Sequence, residues 1–341
     1  MQLITGATGH IGTVLMRTLL ARGEKVRALV RTESLHASPP CTALAGLDCE
    51  LVPGDILDPA SILAAMAGVD VVYHLAARIS TSSMPDPELE CINVIGTRNM
   101  LAAARQMGVE KLVYASSIYA LKPPLRGIID ESCPFDVGAG RGPYDRSKAA
   151  ASLAVQEAAA HGMEAVIVSP TAVIGPYDYR LSEAGRGILY NLSPGIKFHV
   201  DGAYDFVDVR DVVDGILRAA QSGRTGQNYI LGGERLTVQE VAQIIWETAG
   251  GWHAGVKLPD WLADLGAAIL PHFSDTPLVT PYMLEAIRSN SNISHAKAAS
   301  ELGYRPRPAR QALRAAVEWW LAQRQGVPMP ENPEPLINAT A

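Results

Sequence analysis

An α/β fold is predicted, in which a doubly wound parallel sheet is followed by a smaller and mostly helical C-terminal part. Three observations predict it. Nearly all-apolar runs such as Val69–Leu75, Lys111–Ala115 and Ala165–Ser169 alternate with helical patterns through the first half. Strands of that kind are buried on both faces, as in a parallel sheet covered by helices. The intervening helices run into Gly23, Gly108 and Gly162, as left-handed caps require. The first strand passes through a glycine-rich turn straight into a helix, opening a βαβ unit.

Taken in order, Gln2–Thr5 reads as a strand, followed by a helix from His10 to Arg22. Lys25–Val30 and Glu50–Pro53 are the next two strands. Asp58 and Pro59 start a helix as N-cap and first helical residue. Val69–Leu75 is the fourth strand, Glu88–Met107 a long helix, Lys111–Ala115 the fifth strand, Pro143–His161 a helix, and Ala165–Ser169 the sixth strand. This rhythm implies right-handed crossovers. It loosens after about residue 175. Strands are expected there at Lys197–Val200 and Asn228–Leu231, around a helix at Val209–Gln221. Helices follow near Val238–Ala249, Pro259–Leu270, Pro281–Arg288, Ser294–Leu302 and Arg307–Gln323. Residues 326–341 carry four prolines and no periodicity, and read as a loose tail.

With 341 residues, 48% of them apolar and 19% charged, the chain can bury a sizeable core and is not disordered as a whole. Its net charge of −6 argues against a nucleic-acid partner. The four cysteines form no CxxC pair and no histidine cluster accompanies them, so no metal site or disulfide framework is expected. No signal-peptide pattern opens the chain, and the apolar stretch Leu265–Phe273 is far too short and interrupted for a membrane span. A cytoplasmic protein is the expectation.

The turn Gly6-Ala7-Thr8-Gly9-His10-Ile11-Gly12 gives each glycine a physical task. Gly6 permits the tight turn, Gly9 lets backbone approach a pyrophosphate, and Gly12 lets the helix pack on the strand. Freed N–H groups and the positive helix end then meet the phosphates. The expectation is therefore a Rossmann-type dinucleotide-binding domain over residues 1–175 and a smaller substrate-binding domain over 176–325, with the chain weaving back into the first. The second strand, Val26–Arg31, ends without the acid that holds a ribose 2′-hydroxyl. Arg31 at its carboxyl end is placed to meet a 2′-phosphate, so NADP(H) is preferred, with NAD(H) possible. Asp55, ending the third strand, is placed either to accept from the adenine amine or to cap a turn.

Tyr144 and Lys148 fall four apart in a helical pattern, on one face and about one turn from each other. A phenol is a poor acid at neutral pH; a nearby ammonium is expected to lower its pKa so that it exchanges a proton with a carbonyl oxygen. Ser116 and Ser117 end a strand at the edge where ligands bind in such sheets. A hydroxyl there is suited to hold a substrate oxygen, or simply to make a turn.

Thr5–Gly12, Ser116-Ser117 and Tyr144–Lys148, in this order, resemble the extended short-chain dehydrogenase/reductase family, the NAD-dependent epimerase/dehydratase superfamily. His74–Ala77, Asn93–Thr97, Pro170–Pro176, Val207–Asp211 and Leu302–Pro306 match the same pattern, and the resemblance covers about residues 1–323. Val26–Arg31 and Tyr229–Glu234 look most like the dihydroflavonol-reductase-like branch, which includes bacterial proteins labelled hopanoid-associated sugar epimerases. The resemblance implies that Tyr144 gives or takes the proton, Lys148 tunes it and binds the ribose, and Ser117 is the catalytic serine. Gly6, Gly9, His10, Ile11 and Gly12 would hold the pyrophosphate. Asp55 and Ile56 would flank adenine, Ala76 and Ala77 would line the groove, and Ser116, Pro170 and Thr171 would lie on the nicotinamide side. Asn93 is expected to be structural, bridging helix and strand backbone, with a relay role as the alternative. Family members often form homodimers through the helix carrying Ala149–Ala154 and the long one before it; packing within the monomer would explain those small residues equally.

Nucleotide-sugar members usually carry an arginine just before the place of Asp205–Val209, where this chain has Tyr204. A phenol cannot supply the bidentate charge a diphosphate wants; Arg180, Arg186 and Arg288 are the candidates to substitute for it. The expected activity is thus an NADP(H)-dependent oxidoreductase interconverting a ketone or aldehyde with an alcohol. Arg78, Tyr119, Tyr177 and Tyr179 are candidate liners of the substrate pocket. A nucleotide-sugar epimerase or dehydratase with transient hydride transfer is the alternative. A non-catalytic NADP(H) sensor is the second alternative, against which the intact Tyr-Lys pair argues.

Overall fold

The computed structural model describes residues 1–35, 42–82, 84–273 and 279–325, so the expected tail at 326–341 lies outside the described residues. In chain order the strands are β1 (Gln2–Thr5), β2 (Val26–Val30), β3 (Glu50–Pro53), β4 (Val71–His74), β5 (Lys111–Ala115) and β6 (Ala165–Pro170). They continue as β7 (Ala172–Ile174), β8 (Gly195–His199), β9 (Ala203–Asp208), β10 (Asn228–Leu231), β11 (Glu234–Thr237) and β12 (His253–Lys257). The helices of the first half are α1 (His10–Ala21), α2 (Thr32–Leu35), α3 (Pro59–Met66), α4 (Pro87–Glu90), α5 (Gly96–Met107) and α6 (Pro143–Ala160). Those of the second half are α7 (Glu183–Leu192), α8 (Val209–Ser222), α9 (Val238–Ala249), α10 (Asp260–Ile269), α11 (Pro281–Arg288), α12 (Ala296–Leu302) and α13 (Ala309–Gln325).

The strands β10-β6-β5-β4-β1-β2-β3, in that spatial order, form one sheet with parallel pairing throughout. Its strand order reverses between β1 and β4, and a crevice opens outside the carboxyl ends of the strands at such a point. Two apolar clusters cover the two faces. Val14, Met16, Val213 and Tyr229 belong to one, and Ile62, Met100, Leu101 and Val155 to the other.

The structure adds three local features. Asn228–Leu231 completes the main sheet beside β6. The C-terminal part is helical as expected and also carries short strands: β11-β9-β7 form a second sheet and β12-β8 a parallel pair. Of these, β8 answers to the strand expected at Lys197–Val200, whereas β7, β9, β11 and β12 have too few residues to show a period. The long helix expected at Glu88–Met107 is interrupted by a wider π turn over Cys91–Ile95. Such turns are frequent at functional sites, and Asn93 lies within this one. In α6, Ala149, Ala151, Ser152 and Ala154 are buried within this chain, although Leu153 stays 41% exposed. Among the described residues no helix is long and apolar enough to cross a membrane, and no group of His, Cys, Asp and Glu is arranged to hold a metal.

Candidate active site

The carboxyl end of β1 opens directly into the glycine turn. Gly6 has φ +73°, and a Cβ there would stand 2.7 Å from the Ala76 nitrogen at the end of β4. A Cβ on Gly12 would stand 2.2 Å from the Gly6 carbonyl oxygen. At Gly9 a Cβ would meet only that same oxygen, at 3.3 Å, and otherwise open space. No side chain caps the start of α1 and no acid occupies its first turn. Its first amides, from His10 to Gly12, are therefore available to an anion. These observations fit a dinucleotide pyrophosphate. The His10 ring itself is engaged elsewhere, its Nε2 donating to the Pro176 carbonyl at 2.9 Å.

The adenosine end of the crevice is defined by β2 and β3. Arg27 is consumed structurally, donating to the Ala65 and Ala67 carbonyls at 2.7 Å each and pairing with Glu50 at 2.9 Å. Arg31 is exposed just past β2 and forms no ion pair among the described residues. Asp55 Oδ1 accepts from the Leu57 amide at 2.8 Å, the turn-capping role. Ile56 is buried where a Cβ on Gly96 would meet its Cδ1 at 2.5 Å; α5 can approach because Gly96 has no side chain.

At the other end, Tyr144 sits in the first turn of α6. Its phenol lies beside Ser117, whose hydroxyl accepts from the Tyr119 amide at 3.2 Å. One turn along, Lys148 Nζ donates to the Ala115 carbonyl at 2.5 Å and lies 4.5 Å from the Tyr114 ring centroid. Ser116 and Ser152 share a hydrogen bond of 2.7 Å, and Ser152 donates to the Lys148 carbonyl at 2.7 Å. The end of β5 is thereby stitched to α6. Pro170, which ends β6, and Thr171 are both buried at the same edge of the sheet. Since β1, β4 and β5 are adjacent, the glycine turn and the serines stand two strand spacings, roughly 10 Å, apart.

The electrostatics correct one expectation. Burial pushes the Tyr144 phenol up to about 12; the Ser117 hydrogen bond opposes that rise and Asp145 adds to it. Lys148 does not lower it, because its ammonium is turned to the Ala115 carbonyl and is itself held down to about 7 by burial. A buried lysine of this kind binds fewer protons folded than unfolded, so its destabilising effect is full below about 7 and fades as pH rises toward the ordinary lysine range. The dinucleotide-free protein should therefore gain thermal stability from about pH 7 to about pH 9. Lys148→Met should flatten that slope; parallel unfolding profiles for the two proteins would overturn the assignment.

A chain of polar side chains that sequence reasoning missed ties these parts together. Thr5 Oγ1 is 2.7 Å from His74 Nδ1, and His74 Nε2 is 3.0 Å from Thr97 Oγ1. Thr97 donates to the Asn93 carbonyl at 2.6 Å. Asn93 Nδ2 donates to Ser147 Oγ at 2.8 Å, and Ser147 donates to the Tyr144 carbonyl at 2.7 Å. His74 is fully buried, and burial with the Lys148 charge holds it down to about 3, hence neutral. The available signal was a lone histidine ending an apolar strand. Asn93 also holds both backbone groups of Arg78, at 2.8 and 3.0 Å, which fixes the path beyond Ala76 and Ala77.

The four expected substrate liners separate. Tyr119 stands beside Ser117, its ring centroid 5.8 Å from Tyr204 and 5.6 Å from Tyr282. The Arg78 side chain is tied to Asp86 and Glu88 at 2.9 and 3.1 Å. Tyr177 is buried under the Arg17 guanidinium, 5.5 Å from its ring centroid, and Tyr179 meets Trp319 edge-on at 5.3 Å. Those two rings pack α1 and α13 rather than the Ser117–Tyr144 group.

The model of the NAD dependent epimerase/dehydratase family matches residues 2–232. The chain belongs to this family. It is 36% identical over 328 residues to sterol demethylase protein B of Methylococcus capsulatus, across 93% of this chain and 97% of that protein. A dihydroflavonol 4-reductase-like protein of Synechocystis sp. is 33% identical over 326 residues, across 93% of both chains. The solved structure of gox2253 superposes with a TM-score of 0.80 at 34% identity, covering 95% of this chain and 98% of that one. As an extended short-chain dehydrogenase/reductase with its seven-stranded Rossmann sheet, the family member is an NAD(P)-dependent enzyme of the oxidoreductase/epimerase type.

Proposed function

We propose that this family member is an NADP(H)-dependent oxidoreductase that interconverts a ketone or aldehyde with the corresponding alcohol. The observation that carries the reading is the packing of the start of α6, with Tyr144, against the turn that Ser117 opens after β5, where Lys148 one helical turn along donates to the Ala115 carbonyl. Gly6, Gly9, His10, Ile11 and Gly12 hold the pyrophosphate by backbone, and Arg31 takes the 2′-phosphate. The bound nicotinamide supplies or accepts the hydride. Ser117 holds the substrate oxygen, and Tyr144 gives it a proton as the carbonyl carbon becomes an alcohol carbon. Lys148 is placed to bind the nicotinamide ribose, moving from the Ala115 carbonyl, and its charge then favours phenolate as the proton leaves. The proton balance closes when solvent returns one proton to Tyr144. The names of the two relatives attach to a sterol and a dihydroflavonol, which supports a reductase of ring-bearing compounds.

The test is a panel of carbonyl compounds and nucleotide sugars, followed by NADPH absorbance. Net NADPH consumption with a ketone or aldehyde is expected. Arg31→Ala should weaken NADPH by about 10- to 100-fold, the worth of a charge-assisted contact, and leave NADH within about twofold. Equal losses for the two nucleotides would overturn the NADP preference. A sugar epimerised without net NADPH consumption would replace the reductase reading with transient hydride transfer.

A further inference from the structure

We propose that Tyr119, Tyr204 and Tyr282, clustered about the Tyr119 ring, form the substrate-side wall of this site. They select a neutral, ring-bearing carbonyl compound over a nucleoside-diphosphate-linked one, and Tyr282 is the specificity-determining residue. The inference rests on the carbonyl oxidoreductase reading and names its substrate class.

The three rings come from distant parts of the chain. Tyr119 lies in the turn after β5, Tyr204 on β9 and Tyr282 in the first turn of α11. Tyr119 packs against both other rings, and Tyr282 reaches the start of α6. Tyr282 donates its hydroxyl to Asp145 Oδ1 at 2.7 Å, and a Cβ on Gly142 would stand 3.1 Å from the Tyr282 ring. Arg141 pairs with the other Asp145 oxygen at 3.2 Å and donates to the Tyr119 carbonyl at 2.7 Å. Asp145 is the immediate neighbour of Tyr144, so this wall adjoins the proton-transfer group. Unlike Tyr114 or Tyr229, which are fully buried in the core, all three rings are only partly covered. Burial keeps their phenols well above the ordinary value, so they present neutral faces.

Charge decides what such a wall accepts. The Arg141 cation is already matched by Asp145. Arg186 pairs with Glu183, and Arg288 pairs with Asp260 and Asp264. Arg235 stands opposite Asp205 in the β9–β11 register, whereas Leu236 stands opposite Tyr204. Alternation therefore directs Arg235 to the other face, where it donates to Ser291 at 2.9 Å. A diphosphate brought to this wall would meet a carboxylate and three neutral phenols, since Arg141, Arg186 and Arg288 are matched by carboxylates and Arg235 is turned to the other face. Aromatic faces instead suit a flat apolar ring system, packed in offset or edge-on contact.

The experiment uses the NADPH-loaded full chain with three probes: a bicyclic aromatic ketone (α-tetralone), a short aldehyde (propanal) and uridine diphosphate. Tyr282→Ala should raise KM for the tetralone about tenfold or more, the worth of a lost ring contact, with kcat changed less than about threefold and propanal kcat/KM within about twofold. Tyr282→Phe, which keeps the ring, should restore the tetralone KM. Uridine diphosphate should give less thermal stabilisation of the loaded wild-type protein than the tetralone does. Equal losses on both carbonyls in Tyr282→Ala, or stronger stabilisation by uridine diphosphate, would overturn the wall. Absence of carbonyl turnover in the wild type would sink the oxidoreductase reading instead, and the two stabilisation measurements would still decide what the wall binds.

Discussion

Tyr144→Phe is expected to lower kcat for carbonyl reduction by about 10²- to 10⁴-fold, the usual worth of a positioned general acid. The ring is buried at the start of α6, and phenylalanine fills the same space. Only the hydroxyl is lost, and Ser117 still accepts from the Tyr119 amide. The glycine turn is two strands away and untouched. NADPH affinity, measured by fluorescence titration, should therefore stay within about twofold, and KM should change far less than kcat. Solvent cannot replace the phenol easily at so covered a position. Turnover equal to wild type would remove Tyr144 from the chemistry and with it the proposed reaction. Equal losses in NADPH binding and in turnover would make it a structural residue.

The second large effect is expected at Gly12. A Cβ there would lie 2.2 Å from the Gly6 oxygen, 2.8 Å from Ala7 Cα and 2.9 Å from the Gly6 carbonyl carbon, all backbone atoms of the turn itself. None is the movable end of a side chain, so Gly12→Ala must push the turn off the start of α1. Overpacking of this kind costs about 1–3 kcal/mol, and displaced amides no longer converge on a phosphate. Thermal unfolding should show a less stable protein that NADPH no longer stabilises. Gly9→Ala should behave differently. Its Cβ would meet only one atom, at 3.3 Å, so the unliganded protein should unfold nearly as wild type does. The added methyl would nevertheless occupy the approach to the pyrophosphate, and NADPH stabilisation should fall. A Gly12→Ala protein that NADPH stabilises normally would show that the turn does not serve the dinucleotide.

Much of the phosphate end was legible because its chemistry is local. Three glycines between a strand and a helix state their own geometry, and the structure adds only which atoms a Cβ would strike. The Tyr144–Lys148 spacing likewise follows from helical pitch alone. What Lys148 does was not legible. Its partner, the Ala115 carbonyl, lies on another element, and that contact prevents the expected lowering of the Tyr144 phenol in this structure. Tyr177 and Tyr179 look as eligible in the sequence as Tyr119, yet they fill the space around Arg17 and Trp319. The His74–Thr97–Asn93 chain and the approach of Tyr282 to Asp145 join segments too distant for any periodic pattern to reveal.

By itself the sequence determined the α/β class, the order of the main elements, the glycine turn and the shared face of Tyr144 and Lys148. These depend on side-chain periods, caps and turns within a few residues of each other. The tertiary structure alone decided that Asn228–Leu231 completes the main sheet, that Asn93 reaches Ser147 and the Arg78 backbone, and that Tyr119 meets Tyr204 and Tyr282, the last of which reaches Asp145. Those outcomes depend on sheet order and on packing between remote segments, where burial and a hydrogen-bond partner are supplied by residues that local spacing does not specify.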